Sequence, residues 1–218
     1  MTVFWSPISR LAETMPFEFD ALIFDCDGTL VLTGDMHLQA LQEALKRQGA
    51  SIERDWYMAR SGLSRMQLMD QLQDLHGPAF NRGAALRDSV ALTMDLLAET
   101  RPNTAVKGIA ERFHGHVPMA VASNAEAEIV RGVLDIHGLS RFFAAIVTIS
   151  EVSRPKPDPE MLVKAASLLG SRPDRTLVLE DSEQGLVAAE AAGMPVLDVR
   201  DPTALDKFRQ SNMDYLAG

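Results

Sequence analysis

The stretch Ala21-Leu22-Ile23-Phe24-Asp25-Cys26-Asp27-Gly28-Thr29-Leu30 constrains this chain more than any other. Its apolar start predicts a strand buried on both faces of a parallel sheet. The run ends in two carboxylates with one residue between them. Side chains two apart on an extended backbone point to the same side, so Asp25 and Asp27 address one small volume just beyond the strand end. Two like charges so close are unfavourable unless a cation lies between them or one carboxyl keeps its proton. Gly28 then lets the backbone turn sharply.

From about Arg101 onward, strand and helix patterns alternate. Helices are expected over 106–114, 126–136, 160–169 and 183–192, and strands over 118–122, 144–148, 176–179 and 196–199. This alternation implies an α/β fold, a Rossmann-like parallel sheet covered on both faces. Binding sites in such sheets lie beyond the carboxyl ends of the strands. Polar residues stand at three of those ends: Asp25 with Asp27, Ser123 with Asn124, and Glu180 with Asp181.

Between the first strand and this alternating region, residues 34–99 show helical periodicity and no strand pattern. Leu38, Leu41 and Leu45 mark one helix, stopped at Gly49. Met66, Leu68, Met69, Leu72 and Leu75 mark a second, with Ser64 as N-cap and Gly77-Pro78 as the stop, and 84–97 forms a third. The expected organisation is a core of residues 16–33 and 100–218, with 34–99 as an inserted α-helical domain. Its methionines read as core filler. Residues 1–15 form an N-terminal extension in which Phe4, Trp5, Ile8 and Leu11 match a short packed helix, and Met15 is an alternative start.

A chain of 218 residues accommodates one core domain and a small insertion. With 46% hydrophobic and 23% charged residues it has the composition of a soluble globular protein. The net charge of −9, without any Lys/Arg block, argues against nucleic acid or a membrane surface as partner. A single cysteine, Cys26, excludes an intramolecular disulfide and fits the cytoplasm; the expected place for Cys26 is buried, facing away from the two aspartates. The N-terminus lacks the basic start and apolar stretch of a secretory signal, and no apolar run is long enough to span a membrane.

One loop stands out. In Ser153-Arg154-Pro155-Lys156-Pro157-Asp158-Pro159, prolines fix their own φ and restrict the residues before them. Lys156 is thereby held on a stiff, extended segment. Most loop lysines are merely solvated, but rigidity here suggests that position matters.

Taken together, these pieces resemble the haloacid dehalogenase superfamily of phosphohydrolases. Four motifs carry the resemblance, in order: Asp25-Cys26-Asp27-Gly28-Thr29, Ser123 closing a strand, Lys156 within Lys-Pro-x-Pro, and Glu180-Asp181-Ser182. It covers most of the chain from Phe19 onward. The helical insertion is similar to the cap of the β-phosphoglucomutase-like branch, which often carries a histidine at the place of His37 and a segment like Gly62-Leu63-Ser64-Arg65. Each motif alone has a bland alternative: Ser123 as a helix cap, or Glu180-Asp181 as a charge pair at a helix start. Their conjunction is what makes the resemblance specific.

The resemblance implies a chemistry. Asp25 is the nucleophile that forms an aspartyl-phosphate. Asp27 protonates the leaving oxygen and then activates water. Ser123 donates to a phosphoryl oxygen, and Lys156 balances the charge. A Mg²⁺ ion is implied, held by Asp25, the backbone carbonyl of Asp27 and Asp181, with Glu180 as a direct or outer ligand. Asn124, Arg65 and His37 are the implied substrate contacts, with His37 also placed to assist Asp27 and Arg87 as a poorer candidate. The resulting expectation is a cytoplasmic, Mg²⁺-dependent phosphatase acting on a small phosphorylated metabolite, with sugar phosphates as the class suggested. A phosphosugar mutase of the β-phosphoglucomutase type and a non-catalytic phosphometabolite-binding regulator are the alternatives.

The sequence also departs from the pattern. Leu32 stands where the family usually has an acidic residue. Mutases of the branch carry serine and then lysine where this chain has Ala125 and Glu126, and Glu126 is expected to repel a second phosphate, which favours hydrolase over mutase. Asp27 and the acidic pair would not be needed by a haloacid dehalogenase, and a phosphonatase typically lacks the second aspartate.

Overall fold

The computed structural model describes residues 18–211. The expected short helix at Phe4, Trp5, Ile8 and Leu11, and Met15, lie outside them. The chain opens with β1 (Ala21–Phe24) and the short β2 (Val31–Leu32). Four helices follow: α1 (Gly34–Lys46), α2 (Arg54–Met58), α3 (Arg65–His76) and α4 (Arg82–Asp95). Then come β3 (Arg101–Pro102), α5 (Thr104–Phe113), β4 (Met119–Ser123), α6 (Ala127–Ile136), β5 (Ala145–Thr148), α7 (Glu160–Leu168), β6 (Thr176–Glu180), α8 (Glu183–Ala191), β7 (Val196–Asp198) and α9 (Pro202–Ser211).

Five strands form a parallel sheet in the order β5-β4-β1-β6-β7. β1 sits at its centre, and its four residues are apolar and fully buried, the pattern expected of a strand inside a parallel sheet covered on both faces. Alternate residues face opposite layers. Leu22 and Phe24 pack with Val106, Phe113, Ile129 and Val133 of α5 and α6, whereas Ile23 packs with Met161, Leu162 and Leu186 of α7 and α8. Burying each such side chain contributes roughly 1.5–3 kcal/mol.

The helices between β2 and β3 gather around a separate apolar cluster built on Leu38, Leu41, Leu45, Leu68, Met69 and Leu72. Ser64 caps α3 as expected. Its Oγ accepts from the Gln67 N–H while the Gln67 side chain accepts from the Ser64 N–H, so two otherwise orphaned donors are satisfied. Four elements were not expected. α2 is five residues long, too short for a period to show. β2 and β3 pair antiparallel over two residues each, with Leu32 opposite Arg101. α9 buries Leu205 and Phe208 between charged neighbours. No helix among the described residues is long and apolar enough to cross a membrane.

Candidate active site

The carboxyl ends of β1, β4 and β6 lie side by side, which brings the residues following each of them to one place. Asp25 follows β1 directly, and it is only 6% exposed. Lys156 reaches the same place from the proline-rich loop. Its Nζ donates to Asp25 Oδ1 and to Glu180 Oε2, both at 2.7 Å. The other Glu180 oxygen, Oε1, accepts from the Asp181 N–H, the Ser182 N–H and Ser182 Oγ. Both Glu180 oxygens are thus engaged by protein donors. Asp25 Oδ2 and Asp181 Oδ2, by contrast, accept from no described residue, while Asp181 Oδ1 takes Thr29 Oγ1 at 2.9 Å. Gly28, at φ +93°, lets the turn press against Asp181, and a Cβ there would collide with that carboxylate.

The electrostatics follow from burial. Desolvation and the neighbouring Glu180 carboxylate push Asp25 well above the usual carboxylate range, with Lys156 opposing them. The same two causes push Asp181 up to about 6, against the Thr29 hydrogen bond. Burial disfavours charge on Lys156, but Asp25 and Glu180 more than compensate and raise it. Asp25, Glu180 and Asp181 each offer a carboxylate oxygen within 4.8 Å of the others. Three carboxylates against one ammonium leave two negative charges uncompensated when all are ionised. An all-oxygen donor set with that excess fits a hard divalent cation.

Asp27 belongs to a different network. Its Oδ1 accepts from Thr33 Oγ1 at 2.8 Å and meets His37 Nε2 at 2.9 Å, and its Oδ2 accepts from Ser123 Oγ at 3.0 Å. Burial raises its pKa, but the bonds from His37, Thr33 and Ser123 outweigh burial and bring it to about 2. Arg65 Nη2 lies 3.3 Å from His37 Nδ1. A guanidinium only donates, so Nδ1 is the acceptor and the ring proton sits on Nε2, directed at Asp27. Cys26, between the two aspartates, is fully buried in the apolar cluster of Leu22 and Phe24, and burial raises its thiol well above the ordinary value.

One cavity joins these groups. Asp25, Asp27, His37, Arg65, Ser123, Asn124 and Lys156 all line it; its internal volume is about 80 Å³ and it opens to solvent. Asn124 lines the cavity, yet its amide is committed to the chain: Nδ2 donates to the Gly62 and Lys156 carbonyls, and Oδ1 accepts from the Lys156 N–H. It ties the lysine loop to the start of α3. Arg87 is exposed and is not among the lining residues. Glu126 lines the cavity as well, but it does not present a bare charge, because Arg65 Nε lies 3.1 Å from its Oε1. The repulsion expected of Glu126 is corrected accordingly: the pair is close to neutral. Sequence reasoning missed Thr33 as an Asp27 partner and Tyr57 as a lining residue. No sequence signal marks Tyr57, which sits on the short α2.

The comparisons agree with this geometry. The family model described as haloacid dehalogenase-like hydrolase matches residues 22–199. The fructose-1-phosphate phosphatase of Escherichia coli is 29% identical over 84% of this chain and 97% of its own length. The validoxylamine A 7'-phosphate phosphatase of Streptomyces hygroscopicus is 25% identical over 81% of this chain and 83% of its own. Among solved structures, β-phosphoglucomutase from Clostridium difficile superimposes with a TM-score of 0.75 at 18% identity, covering 92% of this chain and 100% of that one, a likeness of fold. With the strand order, the placement of the four motifs and a family match across most of its length, the chain belongs to the haloacid dehalogenase-like hydrolase family.

Proposed function

We propose that the protein is a Mg²⁺-dependent phosphatase that hydrolyses a small phosphorylated metabolite of the sugar-phosphate type through an aspartyl-phosphate on Asp25. The observation that carries this reading is the state of the Asp25 carboxylate: Oδ1 is anchored by Lys156 and Oδ2 is unengaged beside the cavity. A carboxylate held at one oxygen presents the other as a nucleophile in a defined direction.

Asp25 Oδ2 attacks phosphorus and the bond from phosphorus to the ester oxygen breaks. Asp27 gives that oxygen a proton. Water then attacks the phosphorus, Asp27 takes the water's proton, and the bond to Asp25 breaks to release inorganic phosphate. The substrate-free protein holds Asp27 in its basic form, the form the second half needs. Approach of a phosphate dianion raises its proton affinity and supplies the acid form for the first half. Ser123, which donates to Asp27 Oδ2 in the substrate-free protein, turns its hydroxyl to a phosphoryl oxygen when substrate binds, while His37 and Thr33 keep Asp27 oriented. Asp25, Asp181 and the Asp27 carbonyl would hold Mg²⁺, which neutralises phosphoryl charge when bound. Glu180, with both oxygens engaged, positions Lys156 from outside the ligand set. The helices of 34–99 act as the cap that excludes bulk water. Arg65 and Glu126 offset each other, so the cavity lacks the excess positive charge a phosphosugar mutase needs for a second phosphate.

Phosphate release from a panel of sugar phosphates tests the reading. Turnover is expected for at least one monophosphate. Interconversion of glucose 1-phosphate and glucose 6-phosphate faster than their hydrolysis would establish the mutase, and release from no ester would leave the non-catalytic regulator. Chelation is expected to stop release and Mg²⁺ to restore it. Ca²⁺ should inhibit, since its looser coordination allows Asp25 to bind through both oxygens. Full activity in excess chelator sinks the metal assignment.

A further inference from the structure

The helices of 34–99 are joined to the core in two physically different ways. At one end the join is apolar. Leu97 is 6% exposed and belongs to the cluster of Ile129, Val130 and Val133 on α6, not to the cluster of Leu38, Leu41 and Leu72. It lies so close to Gly132 of α6 that a Cβ there would come within 2.5 Å of Leu97 Cδ1. Thr100 adds a second hold. Its one hydroxyl proton goes to the Leu97 carbonyl at 2.6 Å, so His137 Nε2, just past the end of α6, is the donor in their 2.8 Å bond.

At the other end the join is polar. The turn at Gly62, with φ +87°, lies on the first turn of α8. A Cβ on residue 62 would be 2.5 Å from Ser182 Cβ and 2.6 Å from Gln184 Oε1. Hydrogen bonds hold this seat: Asn124 Nδ2 to the Gly62 carbonyl at 3.0 Å, Arg65 Nε to Glu126 at 3.1 Å, and His37 Nε2 to Asp27 at 2.9 Å. Water replaces such contacts at small net cost, whereas nothing in water replaces the burial of Leu97. One group at the seat is left out. Gln184 Oε1 is shut off from solvent and accepts from no described residue. A buried carbonyl without a donor disfavours the conformation that buries it, because opening returns the group to water. Gln184 does not line the cavity and takes no part in the phosphoryl chemistry.

We propose that the helices of 34–99 turn about the anchor at Leu97 and Thr100, lift at Gly62, and are biased toward the lifted form by Gln184. The inference rests on those helices being the cap over the site, and not on the chemistry beneath it. The seated form closes the cavity; the lifted form hydrates Gln184 and lets small molecules in and out. Gln184 opposes the polar contacts of the seat, so both forms are populated in the protein without substrate.

Two spin-label pairs on the full chain, without substrate, test this. The native cysteine, Cys26, is fully buried, so labels go to introduced cysteines. Asp74→Cys on α3 with Leu168→Cys on α7 spans the seat, and Ala98→Cys with Leu168→Cys spans the anchor; all these positions are exposed. The first pair is expected to give two distances, the shorter one from the seated form. Gln184→Met keeps the length of the side chain and removes its polar atoms, and is expected to move the ratio about tenfold toward the shorter distance. Gly62→Ala, whose Cβ collides with Ser182, is expected to leave only the longer one. The second pair is expected to give one distance throughout. A single short distance in the wild-type chain, or a ratio that Gln184→Met moves by less than about threefold, overturns the bias. A short distance kept in Gly62→Ala overturns the seat, and two distances from the second pair overturn the anchor. Partial unfolding broadens both pairs and is not mistaken for lifting. The labels report position and not turnover, so a protein that hydrolyses no ester fails the phosphatase reading alone, and unmoved distances with normal turnover fail this inference alone.

Discussion

Asp25→Asn is expected to abolish phosphate release, by at least about 10⁴-fold, while leaving the fold intact. The amide is nearly isosteric, but it is not a nucleophile at phosphorus and is a poor ligand for a hard cation. Its oxygen can still accept from Lys156, so the anchoring contact at Oδ1 survives. The substitution also removes one charge from a cluster in which three carboxylates face one ammonium, so the metal-free protein should unfold at the same temperature as wild type or higher. Phosphate release and thermal unfolding, measured on one preparation, check both halves. Release within about tenfold of wild type, with contaminating phosphatase excluded, ends the assignment of Asp25 as nucleophile.

Lys156→Met is expected to have the largest effect on stability. Lys156 is 2% exposed and lies between two carboxylates that are themselves buried, Asp25 at 6% and Glu180 at 0% exposure. Methionine fills the aliphatic volume of the side chain, so packing is largely retained and the loss is electrostatic. Removing one partner of a buried pair typically costs about 3–5 kcal/mol, because the remaining charge is left uncompensated. For a chain of this length that corresponds to a fall in Tm of roughly 6–20 °C. Adding Glu180→Gln to Lys156→Met should restore part of the loss, since it removes one of the stranded carboxylates. A double-mutant cycle by urea unfolding measures the coupling. Additive losses would show that Lys156 and Glu180 do not stabilise each other. Turnover should fall as well, by at least about 10²-fold, with the loss of a positive charge beside the phosphoryl group.

The five sheet strands were legible because each is a short apolar run ending in a polar residue, and burial on both faces demands that pattern. Helices α1, α3 and α4 were legible because one face of each packs on a common cluster, which prints a helical period into the chain. Where an element is too short to print a period, as in α2, β2 and β3, nothing in the local pattern announces it. Tyr57 escaped notice for that reason, although it opens on the same cavity as the motif residues. Glu126 shows the opposite error. Its charge was legible and its partner was not, so a repulsion was expected where the structure has an ion pair.

The sequence by itself determined the parallel sheet, the order of the chemistry-bearing residues along it, and their position at strand ends. Those properties depend on local apolar patterning and on proline and glycine stereochemistry, which each stretch carries within itself. Only the tertiary structure decided which charges meet. Lys156 bridges Asp25, 131 residues away, and Glu180, 24 residues away, because β1 and β6 are adjacent in the sheet and the lysine loop falls across their ends. Arg65 meets Glu126 across 61 residues, and His37 Nε2 points at Asp27, because α1 and α3 settle over the ends of β1 and β4. Electrostatic partners are set by distances of a few ångströms between side chains remote in the chain, and no local pattern encodes such a distance. The division of the two aspartates follows from this: Asp25 is bound to a buried lysine and Asp27 is held by three hydrogen-bond donors, although the sequence presents them as a matched pair.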